Sequence, residues 1–273
     1  MIPHNLPKPL RSAAKRIIQS IPWLRRQLLP STDYRVLSGM EEARALQARS
    51  DGWLMARTVA RQERAYAQLL STMRQGTPRL DLEVAAQAIA ATKLSHPSLL
   101  EIGCGSGYYA EVFAALVPGG VRYTGLDYSA AMIERAKARY PMFAYQTGDA
   151  TDLRYPDSAF DIVFNGVSLM HILDYATAIR EAARVADRYC IFHSLPVFVD
   201  DHPTTYLQKY AYGSAVIEVV FEQAEFLKQC REAGLTLQRE WDCLPYDLLE
   251  QTGHRSTTKS FLFSVGKDLP AAP

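Results

Sequence analysis

The run Leu99-Leu100-Glu101-Ile102-Gly103-Cys104-Gly105-Ser106-Gly107 sets a carboxylate and three glycines where a predicted strand gives way to a predicted helix. Glycines at alternate positions let the backbone turn sharply and approach a ligand, and the first N–H groups of the helix face the same space. That chemistry suits a nucleotide-like molecule. A dinucleotide fingerprint needs Gly-x-Gly-x-x-Gly. Counted from Gly103, the sixth position is Tyr108, so the third glycine comes one residue early and the diphosphate grip fails. The expected ligand is a nucleoside derivative without a diphosphate.

Three further segments supply polar groups in an ordered series. Asp127, in Gly125-Leu126-Asp127-Tyr128-Ser129, ends the second predicted strand, where a carboxylate can accept from both hydroxyls of a ribose. Gly148-Asp149-Ala150 follows the third strand, with Asp149 placed to accept from an amino group of a base. Phe160-Asp161-Ile162-Val163-Phe164-Asn165-Gly166 brings Asn165 to the end of the fourth. Asp161 sits near the start of that strand, where it orients backbone.

Positioning these groups at one edge requires parallel strands joined by helices, since open α/β sheets bind ligands at the carboxyl ends of their strands. The sequence beyond His96-Pro97 has that alternation. Strands are predicted at 98–102, 121–126, 143–147, 160–166 and 189–194, with helices at 109–116, 130–140 and 175–186 between them. A helix at 222–233 stops at Gly234, and strands at 236–244 and 258–266 follow. Residues 40–94, rich in Ala, Leu, Glu, Gln and Arg, read as two or three helices, with Asp81 the N-cap of the last and Tyr66 in an apolar packing stripe. The division expected is 1–94, a basic and helical extension or cap, and 95–273, an α/β domain with a helical insertion near 200–220. His202, Tyr206, Tyr210 and Tyr212 make that insertion a candidate acceptor lid.

With these motifs in order, the chain resembles the class I methyltransferases of the small-molecule type, whose hallmark is E-x-G-C-G-x-G, over Leu99 to Gly266. The resemblance implies a Rossmann-like, seven-stranded, mostly parallel sheet of order 3-2-1-4-5-7-6 and S-adenosyl-L-methionine as cofactor. It also implies Glu101 and the Gly103, Cys104, Gly105 and Gly107 loop around the methionine moiety, and Asp127 on ribose. Tyr128, Met132, Asp149 and Ala150 would surround adenine, with Asn165 at the methionine end.

Transfer from a sulfonium is an in-line displacement that needs alignment above all, with a base only where the acceptor must lose a proton. His171, just beyond the fourth strand, and His193, at the end of the fifth, are the candidate bases. The favoured reaction is O-methylation of a small molecule or glycan. N-methylation, and a binding or scaffold protein that kept the fold without catalysis, are the alternatives; the glycine spacing disfavours a nicotinamide-dependent oxidoreductase.

A formal net charge of +1 gives no global footprint for nucleic acid, so no nucleic-acid partner is expected. Cys104, Cys190, Cys230 and Cys243 lie far apart without a CxxC pair, which argues for a reducing cytoplasm and against a disulfide framework or metal site. Residues 1–30 carry Lys8, Arg11, Lys15, Arg16, Arg25 and Arg26 and no acid. A basic amphipathic segment over 8–26 would allow contact with another protein or with the inner membrane face.

Overall fold

The computed structural model describes residues 33–49, 52–54, 56–211 and 214–266. The basic segment 1–30, with the expected contact through 8–26, lies outside the described residues, as does Tyr212. The main sheet is built from β2 (Ser98–Ile102), β3 (Arg122–Asp127), β4 (Ala144–Thr147), β5 (Phe160–Gly166), β6 (Ala186–Phe198), β9 (Leu235–Asp242) and β10 (Ser256–Val265). Its order is β4-β3-β2-β5-β6-β10-β9, with β10 antiparallel to both neighbours. Counted within the sheet this is 3-2-1-4-5-7-6, the Rossmann-like order implied by the motifs.

Side-chain alternation explains why the central strands read as continuous apolar runs: both faces are covered. Leu99, Ile162, Phe164, Ile191 and Leu262 face one core, shared with α2 (Ala56–Arg74), α3 (Leu80–Ala91), α4 (Tyr108–Leu116) and α5 (Ala130–Arg139). Leu100, Val163, Cys190, Phe192, Phe261 and Phe263 face the other, shared with α6 (Tyr175–Val185) and α7 (Gln223–Glu232). Gly234, at φ 83°, ends α7 in the left-handed conformation its type suits. Asp161 accepts from the backbone N–H and hydroxyl of Ser98 at 2.7 and 2.6 Å, tying the starts of β5 and β2 together.

Two local expectations are corrected. Arg79, not Asp81, caps α3, and Asp81 sits in the first turn with its carboxylate forked onto the Arg79 guanidinium at 2.7 Å for both bonds. The insertion is β-structure rather than helix: β7 (Thr205–Ala211) and β8 (Ser214–Val220) pair antiparallel, and β1 (Asp33–Val36) adds to β7. Its physical reason lies in Val216, Ile217, Val219 and Val220, β-branched side chains that favour a pleated, half-buried surface. This small sheet is held to the main one where Phe221 and the Pro196–Phe198 end of β6 exchange backbone hydrogen bonds of 2.9 and 3.0 Å. Among the described residues no helix is long and apolar enough to cross a membrane.

Arg184 on α6 fixes the loop that leaves Asp149. Its guanidinium donates to Glu181 and Asp157 and to the carbonyls of Leu153 and Tyr155, all at 2.8 Å. Lysine cannot reproduce that fork. Arg184→Lys should therefore lower unfolding free energy by about 1–2 kcal/mol, discounted for partial exposure. Urea denaturation would show it, and an unchanged midpoint would refute the role.

Candidate functional site

The glycine loop is held by its neighbour strand. Gly103 and Cys104 donate to the Leu126 carbonyl at 2.7 and 3.0 Å, and Gly105 donates to Asp127 Oδ2 at 2.8 Å. Gly103 has φ 72°, and a Cβ there would collide with the Ser168 side chain. Gly107, at φ 80°, opens α4, and a Cβ there would lie 2.7 Å from the Tyr145 hydroxyl. Both positions need glycine for conformation and for space. The loop forms one side of a cleft of about 550 Å³, within the size range of small-molecule sites.

Asp127 is the junction of this edge. Its second oxygen accepts from Ser129 N–H at 2.9 Å, fixing the turn into α5. A carboxylate has about four acceptor positions, so it can serve more than one donor at once. Tyr128, Met132 and Ala150 line the same cleft, Tyr128 on its rim and Met132 buried. Asp149 also lines it, with Oδ1 accepting from Thr151 N–H and hydroxyl at 2.8 Å.

Glu101 and Asn165 lie behind the loop instead of lining the cleft. Glu101 is buried and accepts from the Tyr123 hydroxyl. Burial pushes its carboxyl up to about 8, against the Tyr123 hydrogen bond that lowers it. Asn165 Oδ1 accepts from Ser168 Oγ at 2.8 Å and Leu169 N–H at 2.7 Å, so it shapes the turn that leads to His171. Cys104 lines the cleft, but burial drives its thiol far above the usual range, which makes it inert packing.

The two histidines separate. His171, in the turn Leu169–His171, lines the cleft, and its Nδ1 lies 2.6 Å from the Ile217 carbonyl of β8. A carbonyl only accepts, so Nδ1 carries the proton and the lone pair of the neutral ring is at Nε2. The Trp53 ring packs against it, centroids 5.0 Å apart. His193, expected at the cleft mouth, is instead fully buried between Tyr109 and Phe164 and shares a 2.7 Å hydrogen bond with Ser260. Burial pulls its pKa down to about 4. The pleat explains this: successive side chains of β6 alternate between faces, and both faces at this central strand are packed.

Residues of the helical front end complete the cleft, and motif reading missed them. Arg44 and Gln47 of α1 (Met40–Arg49), Trp53, and Gln62 and Tyr66 of α2 all line it. Tyr66, expected as packing, stacks on Tyr108 with centroids 4.1 Å apart. The available signal was spacing: Arg44 with Gln47, and Gln62 with Tyr66, recur at helical intervals on one face. Gln62 Oε1 is buried without a hydrogen-bond partner, 3.5 Å from where a Cβ on Gly105 would stand. A buried acceptor of this kind calls for a donor. A glycine cradle, a carboxylate at the cleft edge, an apolar slot and an orphan acceptor together fit an amino-acid-bearing nucleoside such as S-adenosylmethionine.

Comparison with known proteins locates the same region. Residues 100–192, from β2 into β6, match the family model described as a methyltransferase domain. A Mycolicibacterium smegmatis protein described as a probable S-adenosylmethionine-dependent methyltransferase is 37% identical over 87 residues, 32% of this chain and 33% of that one. The O-methyltransferase resE of Aspergillus sclerotiorum is 35% identical over 120 residues, 42% of this chain and 44% of its own. The chain thus spans between a third and a half of the length of these curated relatives. Among solved structures, magnesium protoporphyrin IX methyltransferase from Synechocystis superposes with TM-score 0.53 at 16% identity, over 76% of this chain and 94% of that one. At that identity the likeness establishes the Rossmann-like fold.

The buried titratable groups give the fold a pH signature. Folded Glu101 keeps its proton to about pH 8, whereas the unfolded side chain releases it near 4.5, so stability falls as pH rises across that window. His193 acts oppositely, with stability lost as pH drops from 6.5 towards 4. Between pH 6.5 and 8 Glu101 is the one of the two still acting. Glu101→Gln keeps a neutral side chain there and should flatten the decline seen in the wild type. Equal slopes in urea titrations at the two pH values would refute the neutral carboxyl.

Proposed function

We propose that the chain is an S-adenosylmethionine-dependent methyltransferase acting on a small-molecule or glycan acceptor, with oxygen the favoured acceptor atom. The observation that carries this is the Asp127 junction, where one carboxylate both fixes the glycine loop through Gly105 and faces the cleft. The methyltransferase-domain match over 100–192 supports it. Gly103 to Gly107 and Gln62 would hold the methionine part, Asp127 the ribose, and Tyr128, Met132, Asp149 and Ala150 the adenine. Bound there, S-adenosylmethionine supplies an electrophilic methyl group on a sulfonium.

The protein's own contribution is alignment, exclusion of water and the handling of one proton. Apolar walls and the α1 and α2 side chains shelter the cleft. His171 is the acceptor-side base: the Ile217 carbonyl fixes its Nδ1 proton, which puts the basic lone pair of the neutral ring at Nε2. The Trp53 ring packs against the imidazole and holds its orientation. Four free, buried cysteines support a reducing compartment as the working site.

Calorimetry with S-adenosylhomocysteine tests the cofactor assignment, and absence of binding at high micromolar ligand would refute it. Asp127→Asn should weaken that binding about tenfold or more, through loss of charge-assisted hydrogen bonds. Methyl-labelled cofactor with a fractionated cell extract should yield a labelled product, whose identification gives the acceptor. With that acceptor in hand, His171→Ala should slow single-turnover transfer by about 10²–10⁴-fold at near-normal cofactor affinity. Near-normal turnover would remove His171 as the base.

A further inference from the structure

Beside the cofactor cleft lies a second cavity of about 180 Å³, and Tyr66, Tyr108 and Val167 line both. At that size it takes one end of a molecule rather than a whole ligand. Its wall contains two ion pairs, Arg79 with Asp81 at 2.7 Å and Lys209 with Glu218 at 2.7 Å. Both carboxylates are almost completely buried. Tyr246 donates to Glu218, and the Tyr34 hydroxyl lies 2.8 Å from that of Tyr246.

Stability is a poor explanation for the Lys209–Glu218 charges, because a buried ion pair can often be replaced by apolar side chains without loss. The backbone gives an independent sign. Val167 and Ser194, both lining this chamber, have φ 58° and 55°. A β-branched valine in the left-handed region is a strained residue, and such strain concentrates at functional sites. Val167 stands at the junction between the two cavities.

The charge count selects the ligand class. Two cations and two carboxylates, each already paired, leave no net charge. An anionic ligand would compete with Asp81 and Glu218, and a cationic one with Arg79 and Lys209. A hydroxyl can donate to a carboxylate while accepting from a cation or phenol. The stacked Tyr66 and Tyr108 rings add a flat apolar face. We infer that this chamber is the acceptor subsite and takes an uncharged, hydroxyl-rich end of the acceptor, of the sugar or polyol class. The inference rests on the methyltransferase reading above and refines its acceptor.

The test uses the full chain saturated with S-adenosylhomocysteine, whose binding is first measured by calorimetry. Saturation-transfer NMR then compares methyl α-glucopyranoside with its charged counterparts, glucuronate and glucosamine. The neutral glycoside should give the strongest signal. Tyr246→Phe removes one hydroxyl and should weaken glycoside binding about fivefold, the value of a single neutral hydrogen bond. Pro245→Trp, at an exposed position on the chamber wall, should abolish the signal while S-adenosylhomocysteine affinity stays unchanged. A charged probe that matches or exceeds the glycoside, a glycoside signal that survives Pro245→Trp, or no probe signal despite cofactor binding would each overturn the subsite. Failure of the wild type to bind S-adenosylhomocysteine would overturn the methyltransferase reading instead.

Discussion

The backbone between β2 and α4 is tied to the end of β3 by the Leu126 carbonyl and the Asp127 carboxylate. Those bonds force the loop into left-handed conformations, hence the glycines, and the collision awaiting a Cβ at Gly103 shows how little space remains beneath Ser168. Ser168 in turn is held by Asn165 and by the Ile102 carbonyl at 2.8 Å. The loop, the carboxylate and the turn that carries His171 therefore form one hydrogen-bonded unit. Movement of any member would displace the others, which is how a site gains the rigidity that alignment demands.

Behind that unit, burial sets protonation. Glu101 sits under the loop with its proton retained, while His193 in the core remains neutral. Each is a polar group enclosed by rings and strands with one hydrogen-bond neighbour, Tyr123 for Glu101 and Ser260 for Nδ1 of His193, whose Nε2 is buried without a partner. At the cleft edge Asp127 instead accepts from two backbone N–H groups, those of Gly105 and Ser129.

The donor side was legible because its chemistry is local. Glu101 to Gly107, Asp127 and Asp149 each follow a strand, and the parallel sheet brings strand ends together whatever the helices contain. Strand boundaries at Ser98–Ile102 and Phe160–Gly166 were readable for the same reason: doubly buried strands are apolar runs. The opposite wall of the cleft was not legible. Arg44, Trp53 and Gln62 carry no motif, and only tertiary placement turns them into a wall. The β7–β8 hairpin forms where a helical insertion was expected, because its run of β-branched residues outweighs the spacing of its tyrosines. His193 was misplaced because a strand end at a ligand edge still alternates between faces.

The pairing of β1 with β7 joins Asp33–Val36 to Leu207–Tyr210, across most of the chain. The loop around Gly103 and Asp127 closes between residues about twenty positions apart, whereas Tyr66, Lys209 and Tyr246, which line one chamber, and Tyr34 beside Tyr246 come from segments far apart in sequence. Loop-closure entropy makes contacts of that kind slow to form. The glycine-loop half can thus organise early from consecutive β-α units, while the chamber beside it forms later, once β1 has paired with β7. Late assembly also leaves that chamber the part most open to change: its walls can be exchanged in evolution without disturbing the order in which the sheet is laid down.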